Sequence, residues 1–297
     1  MLATLWGAAF VAISAGLSYI PPILFAALRY DIAGIVMLGY AAVAVDRWRP
    51  RTGAEWRQVA VGAVLLIAAY HAFLFVGQQH TTAAAAAILV SLSPVLSTGF
   101  ARALVPADAL SPVGIVGVVV GLAGVAVIVR PDPSNLLATG IVAKGLVFCA
   151  AAAFALGSVL TRRFDTSLPI ETMEAWSMLG GALVLHLVSV AIGEPLEPTA
   201  WTHPEAIGAL AYLSLGASAI GFLVYFDLLE RLGAVEINMV SYVAPIVTAV
   251  VGWLYLGEVV DTATLIGFGL IAVSFCLVKR RAIRREFGHV RSRGSSE

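Results

Sequence analysis

Apolar residues run along this chain in blocks long enough to cross a bilayer, separated by short polar stretches. A bilayer core takes roughly 20 apolar residues per helix. On that measure the pattern predicts ten transmembrane helices, at 3–20, 22–45, 58–77, 82–104, 111–129, 140–161, 170–192, 205–229, 233–255 and 262–279. The links between them carry turn and breaker signals: "PP" at 21–22, "DRWRPRTG" at 46–53, "RPDPSN" at 130–135 and "GEPLEP" at 193–198. Trp48, Trp56, Trp201 and Trp253 fall near predicted helix ends, where aromatic rings straddle the membrane interface. Almost nothing is left for a soluble domain. The expected fold is an all-α integral membrane protein.

Composition agrees: the chain is 60% hydrophobic and 12% charged, against about 25% charged residues in an ordinary soluble domain. Its formal net charge of zero gives no electrostatic footprint for nucleic acid, so none is expected as a partner. Cys149 and Cys276 both lie in apolar blocks and read as buried thiols rather than a disulfide. The opening "MLATLWGAAF" lacks the basic stretch of a signal peptide, so the first block is expected to stay as a span.

Basic residues orient the chain. With the N-terminus inside, the inner loops and tail hold Arg47, Arg49, Arg51, Arg57, Arg102, Arg162, Arg163, Arg231, Lys279, Arg280, Arg281, Arg284, Arg285, Arg291 and Arg293, which is 15 of the 18 Lys and Arg residues. Arg130 and Lys144 fall outside, and Arg29 alone lies within a span. Both termini are therefore expected in the cytoplasm. The segment 281–297 reads as a basic cytoplasmic tail, its final "RGSSE" disordered.

The chain also repeats itself. An offset of 151 lays "AAAAAILVSLSPVLSTGFARALVPADALSP" at 83–112 on "AVEINMVSYVAPIVTAVVGWLYLGEVVDTA" at 234–263, placing Pro94 on Pro245. Upstream, an offset of 148 lays Pro21 on Pro169. The predicted units are residues 1–135 and 136–280, five helices each. Because five is odd, the second enters the membrane from the opposite side, so the architecture is two inverted five-helix repeats, as in many secondary transporters.

Ten spans in two halves, the opening "WGAAFVAI", "PPILFAALRY", "SLSPV" and "APIVTAVVGWLYLGE" resemble the EamA family of the drug/metabolite transporter (DMT) superfamily. Gly257 and Glu258 match the family's Gly-Glu after the ninth span, whereas the first half reads Pro106, Ala107, Asp108. The resemblance implies a carrier of the bacterial inner membrane, typically an exporter of amino acids, other small metabolites or drugs, with a cavity between the halves.

Candidate site residues follow from polarity at depth. Proline frees backbone acceptors and bends a helix, and such irregularity survives in lipid only against protein or a watery cavity. Ser91, Pro94, Thr98 and Arg102 share one helical face, as do Asn238, Ser241, Pro245 and Thr248. Pro94 and Pro245 are read as hinges, and Ser91, Asn238 and Ser241 as substrate-binding. Arg29, Asp31 and His71 lie at comparable depth and form a candidate cluster, with Arg29 and Asp31 on different faces and each needing a partner on another helix. Arg29, Asp31 and Glu236 are candidates for coupling or structural charge. His71 and the aromatic residues Trp6, Phe10, Tyr70 and Tyr242 are candidates to line the site. Each has a plainer reading: serines bonded to their own backbone, a packing histidine, core aromatics, an acid at a helix start.

No Walker A loop, His-Glu-x-x-His, paired-cysteine motif or dinucleotide glycine fingerprint is present. The chain is not expected to be an enzyme or to carry a cofactor or metal. The expected function is secondary transport of a small organic solute by alternating access around a midplane site, with a facilitative channel or an intramembrane enzyme as alternatives. The expected partners are the small-molecule substrate and the lipid bilayer. The glycines of the fifth span, Gly114, Gly117, Gly121 and Gly124, allow close helix approach within the chain or in a homodimer.

Overall fold

The computed structural model describes residues 1–104, 112–132, 134–195, 198–232 and 234–293, with the side chains of 232, 234–238, 279 and 281–293 outside the description. The described residues form ten membrane-scale helices: α1 (Leu2–Leu17), α2 (Pro22–Ala44), α3 (Gly53–Gln78), α4 (Ala83–Leu104), α5 (Pro112–Val129), α6 (Thr139–Thr161), α7 (Ile170–Ala191), α8 (Pro204–Arg231), α9 (Ala234–Leu256) and α10 (Thr262–Arg293). Eight are long and apolar enough to cross a membrane, and α1 and the apolar part of α10 are shorter.

Local chemistry sets the ends. Pro22 opens α2, where its missing N–H would be unpaired in any case. A capping box starts α3 five residues earlier than the apolar pattern predicts: Thr52 Oγ1 accepts the Glu55 N–H at 3.2 Å and the Glu55 carboxylate accepts the Thr52 N–H at 3.1 Å. At the other end, α10 continues past the predicted 279 to Arg293, carrying the helix into the basic segment. The terminal 294–297 lie outside the described residues.

Helix neighbours exchange between the two halves. α2 packs on α7 and α5 on α10; α1 packs on α9 as α4 packs on α6; α3 packs on α6 and α7 as α8 packs on α1 and α2. The self-matched pairs are antiparallel. Thr172, at the start of α7, donates to the Arg47 carbonyl just beyond α2, and Glu194, just beyond α7, takes N–H groups at the start of α2. Inverting one half onto the other produces this pairing.

The span-five glycines serve contacts inside the chain. A Cβ at Gly117 would stand 2.7 Å from Val278 Cγ2, one at Gly121 2.6 Å from Ser274 Oγ, and one at Gly124 2.9 Å from the Gly267 carbonyl, all on α10. The outer surface is apolar, with Ile35, Val43 and Val190 pointing away from the bundle, as lipid contact requires. Cys149 and Cys276 are on that surface too, free and exposed, so the expectation of buried thiols is corrected. An apolar block facing lipid reads the same in sequence as one facing protein.

Two irregularities matter for the site. α3 and α8 each contain a π-helical segment, Gly62–Ala69 and Tyr212–Ile220, starting 150 residues apart and so at corresponding positions of the two halves. π segments are rare and recur at functional sites. The proline helices, in contrast, differ. α4 is interrupted between Ala83–Val90 and Ser93–Leu104, with Pro94 in the first turn of the second piece. α9 runs unbroken through Pro245.

Candidate functional site

Where α2, α3 and α8 meet, a small polar network is enclosed by the bundle. Arg29 and Tyr30 are neighbours on α2, 6% and 1% exposed, with the guanidinium carbon 5.1 Å from the Tyr30 ring centroid. Arg29 Nε donates to Ser218 Oγ on α8 at 2.9 Å. The Tyr30 hydroxyl lies 2.7 Å from His71 Nε2, and His71 Nδ1 lies 2.9 Å from the Ile67 carbonyl. That carbonyl can only accept, so Nδ1 carries a proton and donates to it, while Nε2 and the Tyr30 hydroxyl share the second hydrogen bond. Tyr30 and His71 are thus joined by a single hydrogen bond between α2 and α3.

The π segments supply the frame. Ile67 O, in the first segment, is held by His71; Ala217 O, the position 150 residues on in the second, accepts Trp6 Nε1 at 3.1 Å. Trp6 also packs on Tyr225 and Phe222, with ring centroids 5.7 and 6.1 Å away. Tyr212 donates to the Leu5 carbonyl at 2.9 Å. Tyr70 stands beside His71 and against Phe154, at centroid distances of 4.3 and 5.3 Å.

Of the expected cluster, Arg29 and His71 both meet Tyr30, but Asp31 does not join them. It faces α7, where its Oδ2 lies 2.6 Å from His186 Nε2 and both side chains are more than one-third exposed. Arg29 and Asp31 do occupy different faces, each with a partner on another helix.

The other candidate residues are placed as follows. Ser91 is buried and donates to the Ile88 carbonyl at 2.6 Å, and Thr98 donates to the Pro94 carbonyl at 2.9 Å, so both hydroxyls serve their own helix. Thr248 is buried and shared between the carbonyls of Ala244, 2.9 Å away, and of Gly7 on α1, 2.8 Å away. Ser241 is half-buried. Tyr242 packs on Phe275 of α10 at a centroid distance of 4.5 Å, and its buried hydroxyl has no partner. Phe10 is a core residue whose carbonyl accepts from Gln78. The side chains of Glu236 and Asn238 lie outside the described residues.

Four residues gain importance that sequence reading did not give them. Tyr30 joins the Arg29 and His71 environments. Ser218 holds Arg29, and Ser214, one turn earlier, is fully buried with an unpartnered hydroxyl. Glu174 on α7, read from sequence as a helix-start acid, is 8% exposed, and among the described residues its Oε2 has no hydrogen-bond partner. The available signal was "SLGAS" at 214–218, two hydroxyls four apart in an otherwise apolar span.

The chain is similar to known proteins over nearly its whole length. Relatives include the uncharacterized transporter YvbV of Bacillus subtilis (strain 168), 27% identical over 281 residues, covering 95% of this chain and 90% of the relative. The uncharacterized inner membrane transporter YedA of Escherichia coli (strain K12) is 26% identical, covering 92% of this chain and 87% of its own length. The chloroplastic WAT1-related protein At3g02690 of Arabidopsis thaliana is 25% identical, covering 92% and 66%. A crystal structure matches with a TM-score of 0.67 at 24% identity over 96% of both chains, a likeness of fold. The model of the EamA-like transporter family matches twice, over residues 1–130 and 142–280, and the chain belongs to that family.

Proposed function

We propose that the chain is a secondary transporter that exports a small organic metabolite, an amino acid or a similar solute, or a drug, across the bacterial inner membrane. Both termini lie in the cytoplasm, and the two halves rock about a site at mid-depth. The observation that carries this reading is the buried Arg29–Tyr30–His71–Ser218 network, which joins α2 and α3 of one half to α8 of the other. Ionisable groups at membrane depth are costly and usually functional, and a site shared by both halves changes shape when they move. Family membership and relatives named as transporters support the same reading over an enzyme.

Metabolite profiling of medium from cells with and without the gene identifies the solute, and proteoliposomes then separate the mechanisms. A carrier saturates and shows counterflow, a channel does neither, and an intramembrane enzyme changes the solute without moving it. Flux without saturation or counterflow overturns alternating access. Fusion reporters at Thr52 and Ser295 are expected to report cytoplasm and one at Pro198 the outside.

A further inference from the structure

We infer that Arg29 anchors the carboxylate of the solute, so that the substrates are small organic acids, amino acids included; this rests on the transporter reading above. A guanidinium has five N–H donors. Arg29 uses only Nε, toward a neutral hydroxyl, and among the described residues its terminal nitrogens have no hydrogen-bond partner and no carboxylate within ion-pair distance. It is 6% exposed at membrane depth, where an unmatched cation is costly.

A purely structural arginine would take one of the acids at hand. Asp31, two residues on, is committed to His186 on another face. Glu174 on α7 is buried, and among the described residues it makes no ion pair with Arg29. The Tyr30 hydroxyl is engaged with His71 and makes no hydrogen bond to the guanidinium. The cation is thus held in place while its fork of donors is left open.

The holding contacts suit a planar acceptor. Ser218 at Nε and the Tyr30 ring beside the guanidinium limit its rotation, and a fixed fork matches a carboxylate through two parallel hydrogen bonds. Ser214, one turn from Ser218, supplies a further buried hydroxyl with no partner. Tyr70, on α3 beside His71, and Trp6, bonded to Ala217 one residue before Ser218, bring aromatic rings to the elements that hold Arg29.

The test is uptake into proteoliposomes of L-leucine, L-phenylalanine, 4-methylpentanoate and 3-phenylpropionate, each beside its primary amide. Wild type is expected to prefer the acids over the amides by roughly tenfold or more, the worth of a charge-assisted pair. Arg29→Gln is expected to reduce acid uptake to the empty-liposome level while Arg29→Lys keeps part of it. Elution and thermal midpoint in detergent establish that each variant is folded. If Arg29→Gln does not fold, the ratio of acid to amide uptake by wild type and by Arg29→Lys carries the test. Saturable uptake of amides equal to that of acids, or full acid uptake by folded Arg29→Gln, overturns the inference and leaves the transporter reading standing. No flux of any member overturns both.

Discussion

The carboxylate of Glu258 accepts the backbone N–H of Ala83, 175 residues away, at 3.2 and 3.0 Å from its two oxygens. Glu258 follows Gly257, whose φ of 66° turns the chain sharply at the end of α9. An acid from the second half thus caps α4 of the first, and Glu194 does the same for α2 through the N–H groups of Ile23 and Leu24, at 3.0 and 2.7 Å. The Gly-Glu of the family pattern is a clasp between halves, where the positive end of a helix meets a carboxylate.

Removing that clasp has a measurable cost. Glu258→Ala is expected to lower stability by about 1 kcal/mol, the usual worth of a helix cap, and Glu258→Gln by less because its side-chain oxygen still accepts. Thermal unfolding in detergent reads the difference, and an unchanged midpoint for Glu258→Ala would count against the cap.

The two prolines are expected to respond differently. Pro94 lies in the first turn after the interruption of α4, where its N–H would go unused, so Pro94→Ala leaves stability nearly unchanged. Pro245 is inside an unbroken helix, and Pro245→Ala restores a donor toward the Ser241 carbonyl and raises the thermal midpoint. If both act as hinges, turnover per folded molecule falls in each variant. Normal turnover in the double variant removes the hinge role.

Cysteine labelling tests which polar faces meet water. In a Cys149→Ala, Cys276→Ala background, single cysteines at Thr98 and Ser241, both half-buried, are expected to react with water-soluble thiol reagents. Cysteines at the buried Ser91 and Thr248 are expected to react at least tenfold more slowly, since burial gates access. Equal rates at all four positions would contradict the packing of α4 and α9.

The α5–α10 contact tolerates no added bulk. Gly121→Ala puts a methyl 2.6 Å from Ser274 Oγ and 2.8 Å from Leu92 Cδ1, and overpacking of this kind costs about 1–3 kcal/mol. Gly269→Ala, on α10 with nothing within 4 Å, is the control and should leave the thermal midpoint unchanged or slightly raised.

Much of this fold was legible because bilayer thickness acts on the sequence directly. Long apolar blocks locate the helices, and Pro22 and Thr82 mark the starts of α2 and α4. The site was legible only in part. Arg29 and His71 stand out as polar residues at depth, but rotation about the helix axis decides whom they meet. That rotation depends on the π segments of α3 and α8, whose sequences, "GAVLLIAA" and "YLSLGASAI", carry no mark of a wide turn. The polar faces around Pro94 and Pro245 were visible as spacing, yet spacing does not tell a hydroxyl that lines a path from one that bonds its own helix. Ser91 and Thr98 do the latter.

The paired π segments also carry an inequality. In α3 the carbonyl of Ile67 is held by His71 of the same helix, whereas in α8 the matching carbonyl of Ala217 is held by Trp6, which belongs to the opposite half. One wide turn is self-sufficient and the other is complete only while α1 lies against it. On the proposed alternating-access reading, opening between α1 and α8 removes the indole bond from Ala217, and no such loss occurs at Ile67. One such hydrogen bond is worth about 0.5–1.5 kcal/mol net, enough to make one resting orientation a few-fold more populated than its mirror counterpart. On that reading, a duplicated scaffold whose geometry favours neither direction takes its bias from a single indole.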